Sequence, residues 1–315
     1  MSDNRGRVGD QQIMHFFGVR TEGSSSLKLF PRWAEVLGLG AARLVGMDLP
    51  LDAPPARYRA AVRRLKDDPT VAGALVTSHK LNVVRAAGDL FDGFTEEARL
   101  CREVSAIYKR GGTLWGHACD PTNCGLTLDH FLGPRYWQRH PDAAILSLGA
   151  GGATVAMVVH LLTQAQDRPR TVRLVDIKTE KLDHLQTIID RFPESGIAFD
   201  LIHNADAVIN DRLLAELPPY SLAINATGLG KDLPGSPLTD AAVFPLGGAV
   251  WELNYRGERL FLQQAQRQAA ARRLVVEDGW RYFLHGWSSV ISYVFDIALT
   301  PERFDRFAAV SEAIR

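Results

Sequence analysis

The sequence predicts an α/β protein built of two domains. Short apolar runs alternate with longer amphipathic stretches from one end of the chain to the other, the pattern of repeated strand–helix units around a mostly parallel sheet. The 315 residues exceed what one domain of ordinary size needs. With 46% hydrophobic and 23% charged positions, the composition is that of a chain that buries a core.

In the first half, strands are expected at residues 14–17, 43–47, 71–76, 104–108 and 114–116, with helices at 30–37, 55–67 and 95–101 between them. Residues 120–140 read as a helix and then a polar, aromatic loop, which places a domain boundary there. From Ala144 the pattern becomes regular, with strands near 144–148, 172–175, 197–201, 222–225, 249–253 and 274–276. Six such runs are what a Rossmann-type, doubly wound dinucleotide-binding half requires. After Asp278 the pattern is helical again, with a stripe of Trp280, Phe283, Trp287 and Tyr293 that suits a tail packing back onto the first domain. The expected division is therefore 1–120 with 280–315 as one α/β domain, and 121–279 as the dinucleotide-binding domain.

Thirty-six basic residues balance thirty-six acidic ones, so no overall field draws the protein to nucleic acid or to an anionic membrane. Nothing approaches the 18 or more consecutive apolar residues of a membrane span, and residues 1–12 lack the apolar core of a signal peptide. A cytoplasmic protein is expected, whose partners are small molecules or a second copy of itself in a homodimer. Cys101, Cys119 and Cys124 are too few and too irregular for a disulfide framework. With His117 nearby they also fall short of a zinc pattern, because a structural site needs four ligands, so no metal is expected.

Ala144-Ile-Leu-Ser-Leu leads into Gly149, Ala150, Gly151, Gly152 and Ala153: a buried strand, a glycine turn and a helix start. Such a turn lets the backbone approach a pyrophosphate, whose charge meets free N–H groups and the helix dipole. Thr154 stands where a strict G-x-G-x-x-G has its last glycine. The next strand ends at Asp176, a carboxylate that can accept from adenosine ribose hydroxyls and repel a 2′-phosphate, which favours NAD. Lys178 and Lys181 close by leave NADP open. In the first domain, Ser24, Ser25 and Ser26 form a hydroxyl cluster that suits either a carboxylate ligand or a helix cap. Thr77 and Lys80 follow an apolar strand, and Asp120 precedes a helix-opening Pro, as an ordinary N-cap also does.

Taken in order, these pieces resemble the shikimate dehydrogenase family over most of the chain. Ser24 and Ser26 are similar to the family's S-x-S-P serines, and Val76, Thr77 and Lys80 to its N-V-T-x-P-x-K segment with one residue missing. Val104-Ser105-Ala106 looks like V-N-T, and Gly116 to Asp120 like G-x-N-T-D. Gly149 to Ala153 matches G-A-G-G-A, the Ile224, Asn225, Ala226, Thr227, Gly228 segment matches I-N-A-T-x-x-G, and Val250 to Tyr255 matches V-x-D-x-x-Y. The resemblance implies an NAD(P)-dependent dehydrogenase that moves a hydride to or from a secondary alcohol of a small, cyclic polyhydroxy acid. Lys80 and Asp120 would be the catalytic pair, with Ser24, Ser26, Thr77, Ser105, Tyr255 and His285 around the substrate. Asn225, Ala226, Thr227 and Gly228 would join the glycine turn and Asp176 at the dinucleotide.

The departures fall on the substrate side. Leu27 replaces the family's Pro, Ser105 its Asn, and Ala118 and Cys119 the Asn and Thr before its Asp. Ser105 is shorter than Asn and lacks an amide donor, so a different hydroxyl pattern is expected. The family's glutamine slot falls on His285 when the alignment is set on Gly286 and on Gly286 when it is set on Asp278-Gly279, so His285 reads as a substrate contact or as a packed helix residue, while Lys231, in place of a Met, meets either a substrate carboxylate or water. Two other classes stay open on the sequence: a non-redox protein that binds a metabolite and a nucleotide, and a nucleoside-dependent methyltransferase. The second leaves the Lys80–Asp120 pair unexplained.

Overall fold

The computed structural model describes residues 12–231 and 233–314; apart from Gln12, the polar opening segment lies outside them. The described chain divides into two compact units, one holding its residues up to Cys119 together with those from Gly286, the other Asp120–His285.

In the first unit the chain runs β1 (Ile13–Gly18), α1 (Ser25–Leu37), β2 (Arg43–Asp48), α2 (Pro55–Asp67), β3 (Val71–Val76), α3 (Lys80–Ala87), β4 (Gly93–Phe94), α4 (Glu96–Cys101), β5 (Ala106–Arg110) and β6 (Thr113–His117). The strands lie in the order β2-β1-β3-β5-β6-β4. β1 is parallel to β2 and β3, whereas β5 is antiparallel to β3 and β6, so this sheet is mixed. Ala106 pairs with both Leu75 and His117. The C-terminal ends of β1, β3 and β6 and the start of β5 therefore share one end of the sheet.

The second unit contains α5 (Asp120–Leu132), α6 (Tyr136–Arg139), β7 (Ile145–Leu148), α7 (Gly152–Thr163), β8 (Thr171–Asp176), α8 (Thr179–Ile189), β9 (Ala198–His203), α9 (Ala207–Ala215), β10 (Leu222–Asn225), β11 (Ala249–Glu252), α10 (Leu260–Arg272) and β12 (Val275–Glu277). Its six strands are all parallel, in the order β12-β11-β10-β7-β8-β9. This is the doubly wound order, with its switch point between β7 and β10. α11 (Trp280–Phe295) begins in this unit and ends in the first, which α12 (Pro301–Ser311) completes.

Each unit has its own core. In the second, Leu146, Leu148, Ala223 and Val250 from the sheet pack with Phe244 and Phe261. In the first, Trp33 of α1 stacks on Phe307 at 4.7 Å, meets Trp287 at 5.2 Å, and donates its indole N–H to Ser311 Oγ at 2.8 Å. Trp287 also packs edge-on against Phe16 of β1 at 5.2 Å.

Several elements differ from the sequence reading, among them β4, where none was expected, and α6, where a loop was expected. α1 starts at Ser25, with Ser24 as its cap, five residues before the expected start at 30, and carries Pro31 inside. α3 was not expected, since it spans eight residues and its N-cap, His79, makes no side-chain capping bond. β5 begins at Ala106, two residues late, because Arg102 at φ 54° closes α4 and the chain needs Glu103 to Ser105 to reach the sheet. Among the described residues no helix is long and apolar enough to cross a membrane, and no group of three or more His, Cys, Asp or Glu side chains is placed to hold a metal ion.

Candidate functional site

The glycine turn joins the C-terminal end of β7 to α7 at the switch point of the parallel sheet. Gly149 sits at φ +100°, and a Cβ on it would lie 2.5 Å from the Ala226 carbonyl, so only glycine fits where the turns after β7 and β10 touch. Around the Cβ position of Gly151, by contrast, no heavy atom among the described residues lies within 4 Å, and no side chain caps α7. Gly152 and Ala153 stand in the first turn of that helix, where the leading N–H groups have no partner within the helix and the dipole is positive. This backbone cradle fits the pyrophosphate of a dinucleotide.

Asp176, 6% exposed at the end of β8, ties this turn down. One of its oxygens accepts the Ala150 N–H at 2.7 Å and the Lys181 ammonium at 3.1 Å; the other accepts the Lys178 N–H at 2.9 Å. A carboxylate offers about four acceptor positions, so the three contacts leave one for a ribose hydroxyl. Beside it a cavity of about 220 Å³ opens over the strand ends, lined by Gly149, Asp176, Lys181, Asn204, Thr227 and Leu233 among others.

The turn after β10 is organised from beneath by a carboxylate the sequence reading passed over. Glu252, at the end of β11 and fully buried, accepts from Asn225 Nδ2 at 2.8 Å and from Asn254 N and Nδ2 at 2.8 and 2.7 Å. Asn225 Oδ1 in turn accepts the Thr227 N–H and hydroxyl at 3.1 and 2.7 Å, and Thr227 Oγ accepts the Leu229 N–H at 3.1 Å. Gly228 then takes φ +82°. Burial pushes Glu252 up to about 7 despite the bonds it accepts from the two asparagines.

In the first unit, the expected substrate residues fall at the shared end of the mixed sheet. Ser24 follows β1 in a turn closed by its N–H donating to the Thr21 carbonyl at 2.9 Å, with Gly23 at φ +80°. Its hydroxyl caps α1 by accepting the Ser26 N–H at 3.4 Å, and Ser26 is buried. Thr77 leaves β3 and donates its N–H and hydroxyl to the Phe17 carbonyl at 3.1 and 3.0 Å. Ser105, directly before β5, is buried, and its Oγ accepts the Cys119 N–H at 2.7 Å. That bond fixes the residue directly before Asp120, the first residue of α5.

Lys80 opens α3 at the same end, its side chain 23% exposed and its ammonium 3.9 Å from a carboxylate oxygen of Glu103. His79 beside it is buried, with its Nδ1 3.0 Å from the Tyr58 hydroxyl, and burial lowers its pKa. Neither Glu103 nor His79 emerged from the sequence, where each looks like a polar residue at an element boundary.

In the second unit, Tyr255 stacks near Phe283 at 4.5 Å. His285 is buried, and that burial, with Arg281 and His130 nearby, pushes its pKa down to about 3, so the ring is neutral. Lys231 is exposed. All three cysteines are buried and none forms a disulfide; burial and the Asp120 charge push the Cys124 thiol up, away from reactivity.

No family model matches the chain. A solved shikimate 5-dehydrogenase from Listeria monocytogenes, in complex with shikimate and NAD, superposes with a TM-score of 0.73 at 16% identity, covering 100% of this chain and 99% of that one. A 5-ketofructose reductase of Gluconobacter sp. strain CHM43 superposes with a TM-score of 0.72 at 18% identity, over 98% and 100% of the two chains. These likenesses establish the fold. The sequence goes further: shikimate dehydrogenase (NADP(+)) of Methylobacterium radiotolerans is 31% identical over 265 residues, 82% of this chain and 85% of that one. Identity of that extent, on a chain with the same fold and a glycine turn at the switch point of its parallel sheet, makes this protein a member of the shikimate dehydrogenase family.

Proposed function

We propose that the protein transfers a hydride between a nicotinamide dinucleotide and a secondary alcohol of a small, cyclic polyhydroxy acid of the shikimate or quinate type. The observation that carries this reading is the gathering of Ser24, Thr77, Lys80 and Ser105 at one end of the first unit's sheet, on chain segments made adjacent by the strand order. In this reading the cluster offers hydroxyl groups to an anionic, hydroxylated molecule beside an amine able to exchange its proton.

When bound, the dinucleotide supplies the hydride donor or acceptor. In the reading, Gly149, Ala150, Gly151, Gly152 and Ala153 hold its pyrophosphate, Asp176 its ribose, and Asn225, Ala226, Thr227 and Gly228 its far half. Lys80 takes the hydroxyl proton as the alcohol is oxidised and returns it as the ketone is reduced, while Asp120 orients both the hydroxyl and the ammonium. Ser24 and Ser26 receive the substrate carboxylate. Thr77, Tyr255 and a neutral His285 meet ring hydroxyls, and Ser105 acts from behind by holding Cys119. NAD is the preferred cofactor, supported by the placement of Asp176, with NADP accepted more weakly through Lys181. A cytoplasmic location is part of the same reading, with the balanced charge giving no attraction to an anionic membrane.

The test is spectrophotometric. Purified protein is offered NAD and then NADP with shikimate, quinate and a panel of hydroxy acids, and reduced nicotinamide is followed by absorbance. Turnover that vanishes in Lys80→Ala supports the reading; binding of NAD without turnover of any panel member overturns it in favour of a non-redox protein.

A further inference from the structure

Glu103 belongs to none of the motifs that resemble the family. Its backbone position is set locally: Arg102 at φ 54° ends α4, and the Glu103 N–H donates to the Ala98 carbonyl at 3.2 Å. The next N–H, that of Val104, donates to the carbonyl of Lys80 at 3.4 Å, so this strand approach runs alongside the first turn of α3. The side chains follow the backbone, with the Lys80 ammonium 3.9 Å from Glu103 Oε1. The Glu103 side chain is only 5% exposed. A carboxylate so far from water keeps its charge only beside a cation, and an amine 4 Å from a carboxylate favours its ammonium form. The neighbouring His79 adds no competing charge, because burial keeps its ring neutral.

We propose that Glu103 is a positioning residue for Lys80, holding its amine as an ammonium aimed along the sheet end where Thr77 and Ser105 lie, and so setting it to give a proton rather than take one. In that step the hydride of a reduced nicotinamide dinucleotide adds to the carbonyl carbon of a ketone. The C=O π pair takes the Lys80 proton, and an alcohol, an oxidised dinucleotide and a neutral amine result. The inference rests on the reading of Lys80 as the proton-transfer group.

Its test uses the full chain in five forms: wild type, Glu103→Gln, Glu103→Asp, Lys80→Ala and the Lys80→Ala/Glu103→Gln double variant. With 3-dehydroshikimate and NADH, Glu103→Gln is expected to lose about 10- to 100-fold in kcat with KM changed less than about threefold. Glu103→Asp restores most of the rate, and Glu103→Gln has no further effect once Lys80 is gone. A kcat for Glu103→Gln within twofold of wild type, when Lys80→Ala is inactive, overturns the inference and leaves the reading of Lys80 standing. A fully active Lys80→Ala overturns that reading instead. The pair is judged without activity by thermal unfolding. Lys80→Ala, which takes the ammonium away from the buried carboxylate, is expected to lose about 5 °C in Tm, and the double variant to regain at least half of it. Equal Tm values for the single and double variants overturn the pairing.

Discussion

Thr21 donates both its backbone N–H and its hydroxyl to the same oxygen of Asp48, at 2.8 and 2.5 Å. The contact ties the loop after β1 to the end of β2, and the loop is the one whose turn presents Ser24. Gly46 leaves the room it needs, since a Cβ there would sit 2.1 Å from Thr21 Oγ1. Asp48→Asn removes the charge that both donors share, and Gly46→Ala displaces the Thr21 hydroxyl sterically. Both are expected to raise KM for a carboxylate substrate about 3- to 10-fold with kcat nearly unchanged, the signature of lost uniform binding. The Thr21 bonds hold Asp48 below the usual carboxylate range. A lowered carboxyl contributes above its ordinary pKa and loses that contribution as pH falls through the folded value, so the KM difference between wild type and Asp48→Asn should shrink in acid. A KM for both variants equal to wild type at neutral pH would sink the link between this tether and the substrate.

Glu252 makes the opposite demand on pH. With its pKa raised to about 7 by burial, the folded protein binds a proton that the unfolded chain releases near its ordinary value of 4.5. Stability from this group therefore falls as pH rises from about 4.5 to 7 and is level above that, by about 3 kcal/mol in all. His285, lowered to about 3 by burial, pulls the other way, losing stability as pH falls below 6.5. The two cancel in wild type over much of the acid range, so the measurement is a difference. Glu252→Gln removes the first slope, so urea unfolding across pH 4.5 to 7 should show its stability rising with pH more steeply than wild type. At neutral pH the Gln amide also meets Asn225 Nδ2, donor against donor, and Thr227 loses its fixed position. Parallel stability curves for the two proteins would show that Glu252 does not titrate there.

Where the sequence carried periodicity, it carried the fold. The second unit's strands alternate with helices in a βα rhythm, and 222–225 is reproduced to the residue as β10. The glycine turn was legible for the same reason, because Gly149 answers to a steric rule, a positive φ against the Ala226 backbone, that leaves glycine as the residue that fits. Unit 1 was harder. Its sheet mixes directions, and nothing local distinguishes β5, antiparallel to its neighbours, from a parallel strand. Functional side chains that act through non-local contacts were invisible: Glu103 meets Lys80 across 23 positions, and Glu252 meets Asn225 across 27. Asp176 was found by its place at a strand end, but its bond to Ala150 needed coordinates.

Gly149→Ala tests the cradle itself. The added methyl would need to enter the space within 2.5 Å of the Ala226 carbonyl, and the residue would hold a φ that L side chains rarely adopt. Either problem alone costs about 1–3 kcal/mol. The two turns would have to separate, so NAD affinity by calorimetry is expected to fall at least about 10-fold along with stability. Gly151→Ala, with open space at its Cβ, should leave stability near wild type while still weakening dinucleotide binding, because its methyl would occupy the approach to the helix N-terminus. Stability losses of equal size at the two glycines would refute the steric distinction.

In the proposed reading, cofactor choice turns on Asp176 and Lys181, whose 3.1 Å contact lets each offset the other. A 2′-phosphate near the ribose would face a carboxylate that repels it and an ammonium that attracts it, and the carboxylate, tied to two backbone N–H groups, is the less mobile partner. Asp176→Asn removes the repulsion and frees Lys181 for the phosphate, at the expense of one acceptor for the ribose and a weaker hold on the glycine turn. The ratio of kcat/KM for NADP to that for NAD should rise about 10- to 100-fold, one to two steps of 1.4 kcal/mol. Lys181→Ala takes away the cation and leaves the carboxylate, so the same ratio should fall about 10-fold while NAD itself is used nearly as well. Steady-state kinetics with both cofactors at one substrate concentration decides it. If the two substitutions move the ratio in the same direction, the discrimination lies elsewhere in the cavity, and the exposed Lys178 becomes the residue to change next.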